Sequence, residues 1–202
     1  MAILVCARGG GACCPPPTVL RALRIVLIIY LILYFVNTNR MRYDGERCNY
    51  EIVLNMQIVN HVIKLSTGAT LDFIDITDKI QKKIKASGIK DGIINIQSLH
   101  TTVAVIVNEA EPLLIEDMKA LLEKLAPRTY KYLHDNFEIR TEHMSPGEYI
   151  NGHAHNKAIH LPTSTLLNVM GEKLQIGTWQ RVFVIELDQA RPRQIALQII
   201  GI

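Results

Sequence analysis

The sequence divides at Met56. All four cysteines (Cys6, Cys13, Cys14, Cys48) precede it and all seven histidines (61, 100, 134, 143, 153, 155 and 160) follow it. A disulfide scaffold and thiol catalysis are thereby excluded for residues 56–202, and imidazole chemistry is confined to them. Charge divides at the same place. The first 55 residues carry six arginines and three acidic groups, whereas the remainder balances 16 Lys and Arg against 16 Asp and Glu. The whole formal charge of +3 lies upstream, so the neutral remainder has no basic field to recruit nucleic acid. With 49% hydrophobic and 20% charged residues, the chain can bury one core of ordinary size.

Upstream, IVLIIYLILYFV (25–36) is an unbroken apolar run of 12, extended to 18 only by going back to Val19 across Arg21 and Arg24. A bilayer needs about 20 apolar residues. Three readings stand: a short anchor through residues 19–36 with its N-terminus in the cytoplasm, a signal peptide, or translation beginning at Met41 or Met56. The expected organisation is an apolar and basic extension over 1–55 and a single domain over 56–202. Its expected location is cytoplasmic, with a membrane as partner only through the extension.

From Met56 the β-branched stretch MQIVNHVIKLST reads as a strand. Ile76, Ile80 and Ile84, spaced by four, predict an amphipathic helix with Asp75 or Thr77 as N-cap and Gly88 as stop. Asp91-Gly92 turns the chain into IINIQSL and then HTTVAVIVNE, where Val103, Val105 and Val107 define a core face and His100, Thr102, Ala104, Ile106 and Asn108 the opposite one. Pro112 opens a second helix whose buried stripe is expected at Leu114, Met118, Leu121, Leu122 and Leu125. Residues 128–162 read as irregular, with a helical turn near 154–159. β signal returns in LQIGTWQRVFVIELD and RQIALQIIGI, expected to pair around Asp188-Gln189. Strands, two main helices and strands again, without βαβ alternation, predict an α+β fold with mostly antiparallel sheet.

Several residues can carry chemistry. His100 and Thr102 project together from a strand, with Asn108 and Glu109 at its end; the alternative for His100 is a hydrogen-bonded histidine at a turn. Asp117, close to the apolar stripe, needs a partner such as a metal, a histidine or a backbone amide, unless it reaches water at the stripe's edge. The densest histidine cluster comprises His134-Asp135, His143 and NGHAHN with His153 and His155. Histidines with nearby carboxylates suit zinc or another divalent ion, exposed loop histidines being the alternative. Trp179, the only tryptophan, precedes Gln180 at the head of a strand, where core packing is its ordinary role.

Taken together, LHTTVAVIVNEAEPLLIEDM, YLHD, NGHAHNKA, LQIGTWQRVFVIELDQARPRQI and the closing GI resemble the YjbQ-like family, called secondary thiamine-phosphate synthases. The resemblance covers residues 56–202. It implies an α+β homotrimer with a polar, histidine-lined pocket for a metal or an anion. The family's histidines fall on His100, His134 and His155, its Asn-Glu pair on Asn108-Glu109, its helix aspartate on Asp117, and its tryptophan-glutamine pair, placed near the pocket, on Trp179-Gln180. Asn156 departs from an aliphatic position and Gln189-Ala190 from the usual Gly-Pro.

The resemblance implies a transferase joining hydroxymethylpyrimidine pyrophosphate to thiazole phosphate, in thiamine biosynthesis or as a secondary activity. His100, Asn108, Glu109, Asp117 and His155 are the expected catalytic residues. His100, His134 and His155 are the expected ligands of a divalent metal, zinc or magnesium, that neutralises the departing pyrophosphate. Glu109 or Asp117 orients the histidines or acts as base. Two other readings use the same residues: a metal-dependent phosphate-ester hydrolase, and a non-enzymatic trimeric protein that binds a metal or metabolite.

Overall fold

The computed structural model describes residues 56–202 throughout and, before them, three strands: β1 (Ile3–Cys6), β2 (Arg40–Gly45) and β3 (Cys48–Val53). These three pair antiparallel in the order β1-β3-β2. The chain falls into two compact units, Met1–Met56 and Gln57–Ile202. The apolar run 25–36, and the anchor read over 19–36, lie outside the described residues. Among the described residues no helix is long and apolar enough to cross a membrane.

The second unit runs β4 (Gln57–Ser66), β5 (Asp72–Asp75), α1 (Thr77–Ser87), β6 (Gly92–Ser98), β7 (Val103–Glu109), α2 (Pro112–Leu125), a 3-10 turn (Leu133–Asp135), α3 (Gly152–Ala158), β8 (Ser164–Met170), β9 (Lys173–Leu174), β10 (Gln180–Glu186) and β11 (Pro192–Gly201). It is the expected α+β fold. All strand pairs are antiparallel, in a three-stranded sheet β5-β10-β7 and a five-stranded sheet β4-β11-β6-β8-β9.

The layers follow from which faces are apolar. Ile94, Ile96, Ile195, Leu197 and Ile199 of the large sheet pack on Val103, Val105, Val182 and Val184 of the small one, with Ile76 at the N-cap of α1 and Ile80 and Ile84 within it closing this main core. Each fully buried isoleucine contributes about 1.5–3 kcal/mol. Gly88, at φ 71°, ends α1 in the left-handed conformation that glycine adopts without strain. Asp75 accepts from the Thr77 N–H, but Thr77 Oγ1 accepts from the Val182 N–H and so ties α1 to β10 instead of capping it.

Three expectations change. β7 has no open face, because Ala104 and Ile106 enter a second core with Phe183, Ile185, Leu122 and Ala154, and only its end at Asn108 and Glu109 is exposed. On α2 only Leu122 is buried; Leu121 and Leu125 face solvent and Leu114 and Met118 are half-buried. A sheet three strands wide offers α2 a narrow seat, and Ile115 and Leu122, two turns apart, are the side chains that meet it. Finally, β10 and β11 do not form a hairpin. They belong to different sheets, and residues 187–191 carry the chain from one to the other.

On the face of the five-stranded sheet opposite the main core, Ile58, Val62, Ile93 and Leu166 are exposed. Cross-strand register places Ile58, Ile200 and Ile93 in one row and Asn60, Gln198 and Asn95 in the next, with the Gln198 amide donating to Asn60 Oδ1 at 3.1 Å.

Candidate functional site

The histidine cluster is assembled by a cap. Asp135 Oδ1 accepts from the backbone N–H groups of Asn151 (2.9 Å) and Gly152 (2.8 Å), satisfying two otherwise unpaired donors at the start of α3. Gly152 permits this approach, since a Cβ there would lie against Tyr132. The cap draws the 3-10 turn and α3 together, and the rings of His134 and His155 meet edge to face with centroids 4.8 Å apart.

Around this pair lies a polar shell. His134 Nε2 is 3.1 Å from Asn151 Oδ1 and 3.3 Å from Arg140 Nη1. A guanidinium only donates, and the shortest bond of Arg140 Nη1 goes to Glu148 at 2.7 Å. Arg140 also donates to the carbonyls of His134 (3.3 Å) and His143 (2.8 Å). This clasp holds His143 at φ 51°, a left-handed conformation costly for a residue with a Cβ. Glu148 is kept below the usual carboxylate range, chiefly by its hydrogen bond from Arg140. Burial, and then the neighbouring His134, hold the His155 imidazole below its ordinary value, which favours its neutral form.

In front of these residues opens a polar cleft of about 330 Å³ lined by His143, Ser145, Glu148, Tyr149, Asn151 and Arg191. Asn151 joins cleft to histidine pair. Arg191, from the segment linking the two sheets, pairs with Asp188 at 2.7 Å. The arrangement can bind a small polar molecule, compensate negative charge with Arg191, and present a neutral imidazole nearby.

The remaining expected site residues lie elsewhere. His100 sits in the β6–β7 turn, where its Nε2 accepts from the Gln194 N–H at 2.8 Å, fastening the turn to β11. Burial and the charge of Arg193 hold it below its ordinary value. Asn108 and Glu109 are exposed at the end of β7, Asn108 Nδ2 contacting Met118 Sδ. Asp117 is exposed as well, a correction to its place beside the buried stripe. Two residues on from Ile115, it is turned by about 200° from the contact line and needs no buried partner. Trp179 is not core packing; it is 72% exposed in the loop before β10.

These placements bear on the expected metal. His134 Nε2 is engaged by Asn151 and faces a guanidinium, and His100 Nε2 is engaged by a backbone N–H. Among the described residues no three His, Cys, Asp or Glu side chains converge in ligand geometry. Within one chain, His100, His134 and His155 do not fit a divalent ion. Residues that composition did not single out carry much of the site: Arg140, Glu148, Lys157, Asp188 and Arg191. Arg140, Glu148 and Lys157 have only their closeness to the histidines as a sequence signal, and Asp188 and Arg191, well beyond His160, have none, since arginines and carboxylates in a loop are ordinary surface residues until a fold buries them.

The family described as UPF0047 protein YjbQ-like matches residues 61–202. A UPF0047 protein of Archaeoglobus fulgidus is 33% identical over 136 residues, covering 67% of this chain and 97% of the relative. One of Methanothermobacter thermautotrophicus is 31% identical over 146 residues, covering 72% and 94%. Among solved structures, a YbjQ-like protein of unknown function from Sulfolobus solfataricus superimposes with a TM-score of 0.65 at 32% identity, covering 73% of this chain and 100% of the other. A hypothetical protein of Aeropyrum pernix gives 0.63 at 29% identity, covering 71% and 99%.

Proposed function

The chain belongs to the YjbQ-like UPF0047 family, and from that premise we propose that it is an enzyme acting on a small phosphate- or pyrophosphate-bearing substrate, a transferase of the thiamine-phosphate synthase type. The observation that carries this reading is the cleft itself. Arg191 lines it, Asn151 connects it to the His134–His155 pair, and its size suits a small polar molecule.

In the proposed reaction the thiazole nitrogen attacks the methylene carbon of the pyrimidine ester. A C–N bond forms, the C–O bond breaks, and pyrophosphate departs with the electron pair. Arg191 would compensate the charge building on the leaving group, a contribution that grows toward the transition state. Neutral His155 and His134 would orient the reacting groups, with Asn151 fixing the His134 ring. The divalent ion is proposed only as a companion of the substrate phosphates, because the histidines do not fit as its cage.

The homotrimer implied by the family resemblance is part of this proposal. Asn108, Glu109 and Asp117 lie toward the N-terminal half of α2, away from the end where α3 docks, so they would join a cleft only from another copy. The uncharged rows of isoleucine and amide on the outer face of the five-stranded sheet support an assembly of copies, which light scattering of the full chain would weigh. The proposed location is cytoplasmic.

The test is formation of thiamine phosphate from the two precursors by the full chain, with added magnesium or zinc, compared with His155→Ala. Turnover that disappears in the variant supports the transferase. Phosphate release without coupling moves the reading to a phosphate-ester hydrolase. Thermal stabilisation by the precursors without any turnover moves it to a binding protein.

A further inference from the structure

The loop that lines the cleft hangs from one guanidinium. Residues 141–150 form no helix or strand. Among the described residues, every hydrogen bond that ties them to the rest of the chain is given by Arg140: Nε to the Glu142 carbonyl (3.2 Å), Nη2 to the His143 carbonyl (2.8 Å) and Nη1 to Glu148 Oε1 (2.7 Å). The other bonds are internal. Ser145, Pro146, Gly147 and Glu148 make a β-turn in which the Glu148 N–H donates to the Ser145 carbonyl at 3.1 Å and Gly147 takes φ 72°, the positive value that a proline-led turn of this kind needs at its third residue. The Glu148 side chain folds back over the turn, so that its Oε2 accepts from the Ser145 N–H at 3.1 Å.

The Glu148 carboxylate therefore bridges a guanidinium N–H and a backbone N–H of a turn, the two kinds of donor with which proteins hold phosphoryl oxygens. All four turn residues line the cleft, and the Glu148 side chain is 17% exposed. Arg191 has a counter-charge of another kind. Its partner Asp188 is 3% exposed and is not among the residues that line the cleft. Of the two arginine–carboxylate pairs, only that of Arg140 presents its carboxylate to an incoming ligand.

We propose that Arg140 Nη1 and the Ser145 N–H form a seat for a phosphoryl oxygen in which Glu148 is the resident occupant, and that a phosphate-bearing ligand binds by replacing Glu148 there. The seat rests on the reading of the cleft as an anion site and supplies what selects among anions. Glu148 is tethered, so it competes at an effective concentration on the order of millimolar. A free carboxylate offers the two donors nothing that Glu148 does not already give, and it is excluded. A phosphate group brings roughly two negative charges and three acceptor oxygens, and it displaces Glu148. The released carboxylate moves into solvent with its turn, while the carbonyls of Glu142 and His143 keep the loop on Arg140.

Calorimetric titration of the full chain with inorganic pyrophosphate, and with acetate as the carboxylate control, tests the exchange. Glu148→Gln keeps the shape of the side chain but loses its charge, and can accept from only one of the two donors. It is expected to bind pyrophosphate at least about tenfold more tightly than the unmodified chain, the scale of one charge-assisted bond no longer in competition. The unmodified chain is expected to ignore acetate; acetate binding as tight as that of pyrophosphate overturns the proposal. Pyrophosphate binding by the unmodified chain that is equalled or weakened in the variant overturns the exchange and leaves the anion reading of the cleft standing. No binding by either protein removes both. Should the variant not fold, a crystal structure of the unmodified chain with pyrophosphate decides. A ligand oxygen on Arg140 Nη1 and the Ser145 N–H is expected, with Glu148 swung away, and Glu148 still paired with Arg140 overturns the proposal.

Discussion

Arg193 and Glu186 join the two sheets through their shared core: Arg193 Nε and Nη2 each donate to a different carboxylate oxygen at 2.6 Å, with the side chains only 6% and 0% exposed. One residue belongs to β11 and the other to β10, so the pair spans the seam that the segment 187–191 crosses. Thr67 Oγ1 and the Asp188 N–H donate to the same carboxylate, both at 3.0 Å, and Thr102 accepts from the guanidinium. Every partner that desolvation demands is present, and the network fixes where Asp188 and Arg191 emerge at the cleft.

Breaking this pair from one side leaves a buried, uncompensated charge. Arg193→Met is expected to cost about 3–5 kcal/mol in urea unfolding, whereas Arg193→Met combined with Glu186→Leu recovers most of the loss. Equal stability of the single and double variants would refute the assignment.

The cap on α3 can be removed without touching a histidine. Asp135→Ala is expected to cost about 1 kcal/mol and to separate the His134 and His155 rings, seen as loss of their ring-to-ring NMR contacts. Gly152→Ala, which drives a Cβ into Tyr132, is expected to do the same more severely.

Stability should fall on the acid side. His61, His100, His153 and His155 are all held below their ordinary value of 6.5, first of all by burial. The unfolded chain therefore takes up protons that the folded chain refuses. Their contribution is present above about pH 6.5 and is lost as pH falls below it. Chemical denaturation at a series of pH values should show this slope, reduced in His153→Gln. A flat profile between pH 5 and 7 would contradict it.

Arg191 and Arg140 are expected to separate binding from folding. With inorganic pyrophosphate as probe, Arg191→Lys, which keeps a cation beside the buried Asp188 but not the guanidinium fork, should lose most of the ligand-induced rise in Tm while keeping most of its own stability. Arg140→Ala should lose both, because it frees Glu148 and the carbonyls of His134 and His143 together. Undiminished pyrophosphate stabilisation in Arg191→Lys would remove Arg191 from the site.

On α2 the contrast lies between Asp117 and Leu122. Asp117→Ala, on the solvent side, is expected within about 0.5 kcal/mol of the parent in urea unfolding. Leu122→Ala is expected to cost about 2–5 kcal/mol, since it opens a cavity against the small sheet. Similar losses in both would restore Asp117 to the apolar stripe.

Local periodicity determined a good deal by itself. The four-residue spacing of Ile76, Ile80 and Ile84, with Gly88 behind them, specifies a helix and its end, and alternation specifies β6, β7 and β11, because an apolar stripe must find a core whatever that core is. The crowding of histidines between His134 and His155 also marked the site region. Only the tertiary structure decided the rest. Whether β10 pairs with β11 or crosses to another sheet, whether a sheet covers one side of α2 or two, and whether His100 stands beside His155 or apart from it depend on contacts distant in sequence. The same holds for charge. Arg193, Lys157 and Asp188 look like solvated surface residues in the sequence, and they become structural or site groups only when the fold removes water and leaves each to find a partner inside.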